Sequence, residues 1–338
     1  MIATRRATLV RWAATALHRA RLLRPLSVAA AYGRRRPVFQ VLTYHRVNDE
    51  NDPFFPSVPT AVFEQQMAYL ARACRVTTVE DLVEQGRRGR LPRNAVAVTF
   101  DDGYRDTFTH AAPVLARHGL RATVFLATGF IGTGAVPWFD RLAMAFKTTA
   151  VAAVATPWGS RVPLTGEAAR LWALDQTVRY LKALPDDERR VGLGRLLDAL
   201  AVTDGRWSKD WMLDWDAVQA LTGLGFSIGA HTVSHPILSK LDLERARTEI
   251  VDSRRAIESA CGLVPRAFAY PNGRPEDYTA AVQRLVREAG FSCAVTTRFG
   301  VNTCDTPPYE LRRGRPWEHD LPTFAFKLSV YRLWGAGA

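Results

Sequence analysis

The sequence predicts an α/β protein built on a parallel sheet, and three observations carry that expectation. Short apolar runs alternate with helical-period segments from Val38 onward. The runs are short and rich in Val, Thr and Phe, as in FQVLTY at 39–44 and AVAVTF at 95–100. Several end directly on polar, chemically capable residues, as strands do at the carboxyl edge of a parallel sheet.

The elements follow in order. After the first run, residues 60–73 read as a helix, with Thr60 at its start and Phe63, Met67 and Leu70 at helical spacing. Beyond the run at 95–100, residues 107–118 read as a helix stopped by Gly119, and 123–127 (TVFLA) as the next strand. The alternation then breaks. Residues 130–213 carry Pro and Gly punctuation and two helices, 167–183 and 186–200, the second opened by Pro185, Asp186, Asp187 and Glu188. This is a helical insertion. The rhythm resumes with a helix at 214–223, a strand at 226–230, a long helix at 242–260, a strand at 267–270, a helix at 276–289 and a strand at 291–296. Such alternation suits an open sheet or a closed barrel equally.

Composition narrows the function. A hydrophobic content of 47% supports a sizeable core. The net charge of +12 suggests a nucleic-acid binder until its distribution is read. Residues 1–36 hold nine Arg and no acid, so the rest of the chain carries only +3. A basic arm is implied, a nucleic-acid-binding face is not. The arm's arginines interrupt every apolar stretch, so the sequence contains no clear signal peptide and no transmembrane segment. The arm reads either as a basic amphipathic helix lying on an anionic membrane or as a disordered tail. Residues 321–338 form a second segment of apolar residues with interspersed cations. The lack of a secretion signal gives the expectation of a cytoplasmic chain, and the two ends together add that of peripheral contact with the inner membrane face. Four scattered Cys, with no paired spacing, exclude a disulfide scaffold or a zinc finger.

Four strand ends carry candidate chemistry. The 95–100 run ends in Asp101-Asp102-Gly103. Alone this is an ordinary turn, but two adjacent carboxylates there need a cation. The 226–230 run ends in His231-Thr-Val-Ser-His235-Pro236. Pro236 and the lack of a Glu after His231 separate it from the helical zinc-protease pattern. Asp102, His231 and His235 together offer two nitrogens and one oxygen. That leaves positions open for water and substrate, as in a catalytic metal site. The set suits zinc, and equally cobalt, nickel or iron. The remaining ends are Arg266-Ala-Phe-Ala-Tyr270-Pro271-Asn272-Gly273 and Thr43-Tyr44-His45-Arg46.

The combination TFDDG, HTVSH and RAFAYPNG resembles the polysaccharide deacetylase family with the NodB homology domain (carbohydrate esterase family 4), over about residues 38–300. The motif layout is nearest to poly-N-acetylglucosamine-type deacetylases. The resemblance implies a distorted (β/α) barrel formed by residues 37–129 and 214–320, interrupted by the 130–213 insertion. It implies removal of N-acetyl groups from a glycan, with a divalent metal, zinc foremost, held by Asp102, His231 and His235. Asp101 matches the catalytic base. Tyr270, Asn272 and Arg266 fall on the substrate and oxyanion motif. That motif's second Arg, which steadies the base, falls on Ala269, leaving Arg266 and Arg312 as candidates to take its place. The family's late Leu-x-His acid motif is not evident. The early Tyr44-His45 resembles the poly-N-acetylglucosamine arrangement, which makes His45 the first candidate for the general acid and His319 the second. Trp138, Asp140, Trp207, Trp211 and Trp215 are candidates for sugar contact or for core anchors. The competing reading is a non-catalytic glycan-binding or membrane-scaffold protein on the same fold.

Overall fold

The computed structural model describes residues 2–33, 35–202, 211–316 and 318–334. Two helices, α1 (Ile2–Arg19) and α2 (Leu23–Tyr32), precede strand β1 (Phe39–Tyr44). Then come α3 (Thr60–Ala73), β2 (Arg75–Val76), α4 (Val79–Arg87), β3 (Ala95–Phe100), α5 (Ala112–Arg117) and β4 (Thr123–Leu126). The next stretch holds α6 (Trp138–Thr148), a hairpin of β5 (Ala153–Ala155) and β6 (Arg161–Pro163), α7 (Glu167–Ala183) and α8 (Asp186–Ala199). The last part is α9 (Trp215–Gly223), β7 (Ser227–Ala230), α10 (Leu243–Cys261), β8 (Ala267–Ala269), α11 (Ala280–Glu288), β9 (Cys293–Phe299), β10 (Leu311–Arg313) and α12 (Leu321–Trp334).

The main sheet runs β1-β3-β4-β7-β8-β9-β10 with every pairing parallel. The little strand β2 pairs with the start of β3, and β4 pairs with its end. Just past β10, the Gly314 N–H donates to Val41 O at 2.7 Å and the Thr43 N–H to Gly314 O at 2.9 Å. Those two bonds return the sheet to β1 and nearly close it into the expected distorted barrel.

Side-chain alternation explains why a barrel this small can fill. Along β3, Ala95 and Ala97 face an inner cluster with Val41, Phe125, Ala267, Ala269, Cys293 and Val295. Val96, Val98 and Phe100 belong to the outer core under the helices. Small inner residues leave room for Phe125, and Gly229 is required there. A Cβ at Gly229 would stand 2.5 Å from the Phe125 ring. Both faces of β1 and β3 are buried, which is why each reads as a continuous apolar run.

Residues 138–200 pack around an apolar cluster of their own, which also takes Phe54 and Phe55 from the loop after β1. The β5–β6 hairpin, turning at Gly159 with φ 86°, is an element the sequence reading did not anticipate in a helical insertion. Three-residue strands show no usable alternation. The basic arm is helical rather than a loose tail. Val10, Ala13, Ala14 and Leu17 give α1 a partly to fully buried face, and Leu23, Ser27, Ala30 and Ala31 give α2 another. On α12, Arg332 is buried and its Nη1 donates to Ser27 Oγ at 3.3 Å. The helices α1, α2 and α12 therefore form one packed unit.

Candidate active site

Asp101 and Asp102 emerge where β3 ends. The chain turns sharply, with φ of 74° at Asp102 and 88° at Gly103. A Cβ on Gly103 would stand 2.8 Å from the Ile131 side chain, so only glycine fits there. The histidine loop after β7 is also strained, with positive φ at Thr232 and His235, and so is Asn272 after β8. Among the described residues, four of the eight non-glycine positions with positive φ thus lie in the three predicted loops. Strain concentrated in this way is characteristic of a functional site.

The turns bring three ligand atoms together. Asp102 Oδ1 lies 3.4 Å from His231 Nε2 and 3.3 Å from His235 Nε2. All three side chains are buried, and the three candidate ligand atoms lie within 4.8 Å of one another. His231 Nδ1 donates to Ala269 O at 2.7 Å, which sets the tautomer and turns the Nε2 lone pair toward Asp102. Among the described residues, no hydrogen-bond donor reaches Asp102 Oδ1. A buried carboxylate oxygen facing two imidazole nitrogens is a cluster of acceptors that a divalent cation completes, so the residues fit a metal.

The histidine loop is held from behind. Glu249 on α10 accepts the N–H groups of Val233 at 2.8 Å and Ser234 at 2.9 Å, and the Ser234 hydroxyl at 2.5 Å. On the insertion side, the Phe139 ring of α6 meets His235 edge-on at 5.1 Å.

Asp101 sits beside this cluster with a different partner. Arg313 Nη1 donates to Asp101 Oδ1 at 2.8 Å, and both residues are buried. The same guanidinium donates through Nε to Thr296 O at 2.7 Å. Burial pushes the Asp101 carboxyl up, yet Arg313, His231 and His45 outweigh it and hold the group below the usual carboxylate range. Asp102 is held well below that range, because the facing imidazoles of His231 and His235 outweigh its burial. The two histidines part company. Burial lowers both, but His231 is raised overall by Asp102 and Asp101, whereas His235 stays lowered.

Neither Arg266 nor Arg312 takes the place of the motif arginine. Arg266 precedes β8, at the far end of the strand from the site, and is exposed near Glu84 and Ser292. This corrects its placement among the substrate residues. Arg312 is adjacent to the right residue, but successive side chains of a strand face opposite ways, and it is Arg313 that points inward. Three-residue β10 offers no alternation to read, so the sequence concealed this choice.

Of the two candidates for the acid, His45 is the one at the site. Its Nε2 lies 3.9 Å from Asp101 Oδ2, and its side chain is 45% exposed. Its neighbour Arg46 is buried against Asp106 at 2.8 Å and lies over the Tyr104 and Trp211 rings, which anchors the loop. His319 is exposed, and among the described residues no contact joins it to the site. Tyr270 is buried and stacked on Tyr278 at 4.4 Å, so its ring is packing. Asn272 is half-buried on the loop beyond it. The sugar-contact candidates resolve largely as anchors. Trp138 is buried under Arg189, Asp140 accepts from Tyr104 Oη at 2.7 Å, Trp211 abuts Phe55, and Trp215 packs on the main core. Trp207 lies outside the described residues.

The comparisons with known proteins decide the family. The family profile described as Polysaccharide deacetylase matches residues 88–184 and 193–294.

The chain belongs to the polysaccharide deacetylase family.

It is 21% identical over 277 residues to a putative polysaccharide deacetylase, YxkH, of Bacillus subtilis (strain 168), covering 81% of this chain and 70% of that one. A segment of 80 residues is 36% identical to the poly-β-1,6-N-acetyl-D-glucosamine N-deacetylase of Escherichia coli (strain K12), 23% of this chain and 12% of the relative. In fold it is similar to the Streptococcus pyogenes deacetylase PplD, with a TM-score of 0.58 and 18% identity over 88% of this chain and 99% of that one. IcaB from Ammonifex degensii is similar at a TM-score of 0.56 and 20% identity, over 88% and 97%. This polysaccharide deacetylase is a metal-dependent hydrolase, and Asp102, His231 and His235 are its candidate metal ligands.

Proposed function

We propose that this deacetylase removes N-acetyl groups from an N-acetylglucosamine-type polysaccharide or glycan intermediate, with zinc as its metal. The observation that carries the reading is the donor-less Asp102 Oδ1 between two histidine nitrogens, one residue from a carboxylate held by Arg313. Names of relatives such as the poly-β-1,6-N-acetyl-D-glucosamine N-deacetylases support the sugar.

In this reading Asp102, His231 and His235 would hold the metal, which when bound would supply the charge to polarise an acetyl carbonyl and acidify a water. Asp101 takes the water's proton, and Arg313 keeps Asp101 ionised and aimed. The backbone N–H near Asn272 serves the developing oxyanion, with Tyr270 packing beneath that loop. His45, partly exposed and near Asp101, gives a proton to the departing amine, which leaves poorly without one.

The test is acetate release from N-acetylglucosamine oligomers by protein stripped of metal and reloaded with zinc, cobalt or nickel. Metal-restored release that Asp101→Asn and His231→Ala both lose supports the reading. Metal binding without acetate from any glycan favours the non-catalytic glycan-binding alternative.

The proposal also places the enzyme on an anionic membrane face. Among the described residues, Leu9, Trp12, Leu22, Val28 and Tyr32 make up five of the eleven exposed large apolar residues, all within α1, α2 and the turn between them. Arg11, Arg19 and Arg21 are exposed among them. Apolar residues set among arginines suit an anionic lipid surface. No described helix is long and apolar enough to cross a membrane. Sedimentation with anionic vesicles, reduced by Trp12→Glu and Tyr32→Glu, is the expected result; protein that stays in the supernatant overturns this part.

A further inference from the structure

The first turn of α6 joins the insertion to the site through three consecutive residues. Trp138 lies under Arg189, whose partner Asp186 also accepts from Arg245 of α10 at 2.8 Å. Phe139 meets the His235 ring edge-on at 5.1 Å. Asp140 accepts from Tyr104 Oη at 2.7 Å. Asp140 and Tyr104 are 6% and 3% exposed, so this bond is made away from water. Burial pushes the Asp140 carboxyl up to about 7, and the Tyr104 hydroxyl offsets only part of that. An apolar residue would hold α6 in place without the cost of burying a carboxyl. What the carboxyl adds is a fixed direction for the Tyr104 ring.

That ring in turn walls Arg46. The guanidinium lies 5.1 Å from the Tyr104 ring centre and 4.6 Å from that of Trp211, and its Nε donates to Asp106 at 2.8 Å. Asp106 also accepts the Val47 N–H at 3.2 Å and the Asn48 side-chain amide at 2.9 Å. Three successive residues after His45 are therefore held. Tyr104 itself is fixed in the segment that carries Asp101 and Asp102: the Leu213 N–H donates to Gly103 O at 2.9 Å and the Arg105 N–H to Trp211 O at 3.0 Å. The His45 ring has no such tie. Among the described residues no hydrogen bond reaches it, and its Nε2 stands 3.9 Å from Asp101. Its aim is set by the backbone that Arg46 anchors.

We propose that Asp140 is a positioning residue for proton delivery: through Tyr104 and Arg46 it fixes the loop that aims His45 at the departing amine. This rests on the deacetylase reading above, and it gives the insertion a part in turnover as well as in packing.

The experiment measures zinc-loaded full-length protein on two substrates, an N-acetylglucosamine oligomer and an aryl acetate. An amine leaves poorly without a proton, whereas a phenolate leaves unaided, so only the first substrate calls on the acid. Tyr104→Phe keeps the ring and loses the hydroxyl. It should lower kcat on the oligomer about 10–100-fold, as misplacement of a catalytic group does, with KM near the parent and far less loss on the aryl acetate. Asp140→Ala should match it. Asp140→Asn, whose amide oxygen still accepts from Tyr104, should recover most of the rate. In a His45→Ala background Tyr104→Phe should cost nothing more, because residues that act through one group are not additive. Zinc affinity of Tyr104→Phe by equilibrium dialysis should stay near the parent. Equal loss on both substrates, a further loss in the His45→Ala background, or weakened zinc binding makes the bond a structural tie and overturns the proposal. So does an unchanged kcat on the oligomer in Tyr104→Phe and Asp140→Ala. A parent protein that frees acetate from no N-acetylated glycan overturns the deacetylase reading and the proposal with it; the other outcomes overturn the proposal alone.

Discussion

Arg313→Met is the perturbation that asks most of this structure. It removes the cation from a buried pair whose atoms lie 2.8 Å apart. At that distance and an effective dielectric of about 20, two unit charges interact by about 6 kcal/mol. Breaking a buried pair typically costs about 3–5 kcal/mol, because the surviving charge stays desolvated. If relaxation and water entry halve the interaction, about 3 kcal/mol remains, which corresponds to about two pH units. The sign follows from the direction of the shift. Asp101 is held below the usual carboxylate range in the fold. Its contribution to stability is therefore present above the unfolded pKa and is lost as pH falls through the lower folded value. Without Arg313 the folded pKa rises, that contribution shrinks at neutral pH, and the acid limb of kcat/KM moves upward by about two units. The assays are acetate release from pH 4 to 9, saturated with metal, and urea unfolding at neutral pH. Arg313 also donates to Thr296 O, so lost stability alone does not isolate the charge effect. Arg313→Lys separates the two: it keeps a cation and should return the acid limb toward the parent while remaining less stable. An acid limb in Arg313→Met within about half a unit of the parent, with metal bound, would refute the role assigned to this pair.

Other outcomes follow from the same geometry. Asp102→Ala or His231→Ala should abolish tight zinc binding by equilibrium dialysis, and chelation should remove activity that zinc or cobalt restores; undiminished zinc affinity in both would dissolve the proposed centre. Glu249→Gln should weaken metal affinity about 10–100-fold, as loss of an outer partner does, since a neutral amide cannot accept from Val233, Ser234 N–H and the Ser234 hydroxyl as well as a carboxylate does; an unchanged affinity would reduce that residue to helix packing. His45→Ala should lower kcat about 100-fold or more with little change in metal affinity, while His319→Ala should be nearly silent; the reverse pattern would exchange the two acid candidates.

Much of this was legible without coordinates. β1 and β3 are buried on both faces, so their apolar runs stand out in the sequence. The long helices α7, α8 and α10 were readable from period and start signals, and the Asp and His pairs from their place at strand ends. What escaped was short or depended on facing. β10 spans three residues, and the choice between Arg312 and Arg313 is only which way a side chain points once that strand lies beside β9 and near β1. Glu249 is one acidic residue among several on α10, and only the returning histidine loop gives it three donors. The sequence alone determined which chemical groups exist and at which strand ends they emerge, because burial and period are local properties of the chain. The tertiary structure alone decided which charges meet, because ion pairs between residues 101 and 313, or 186 and 245, form only when distant segments are brought within a few ångströms.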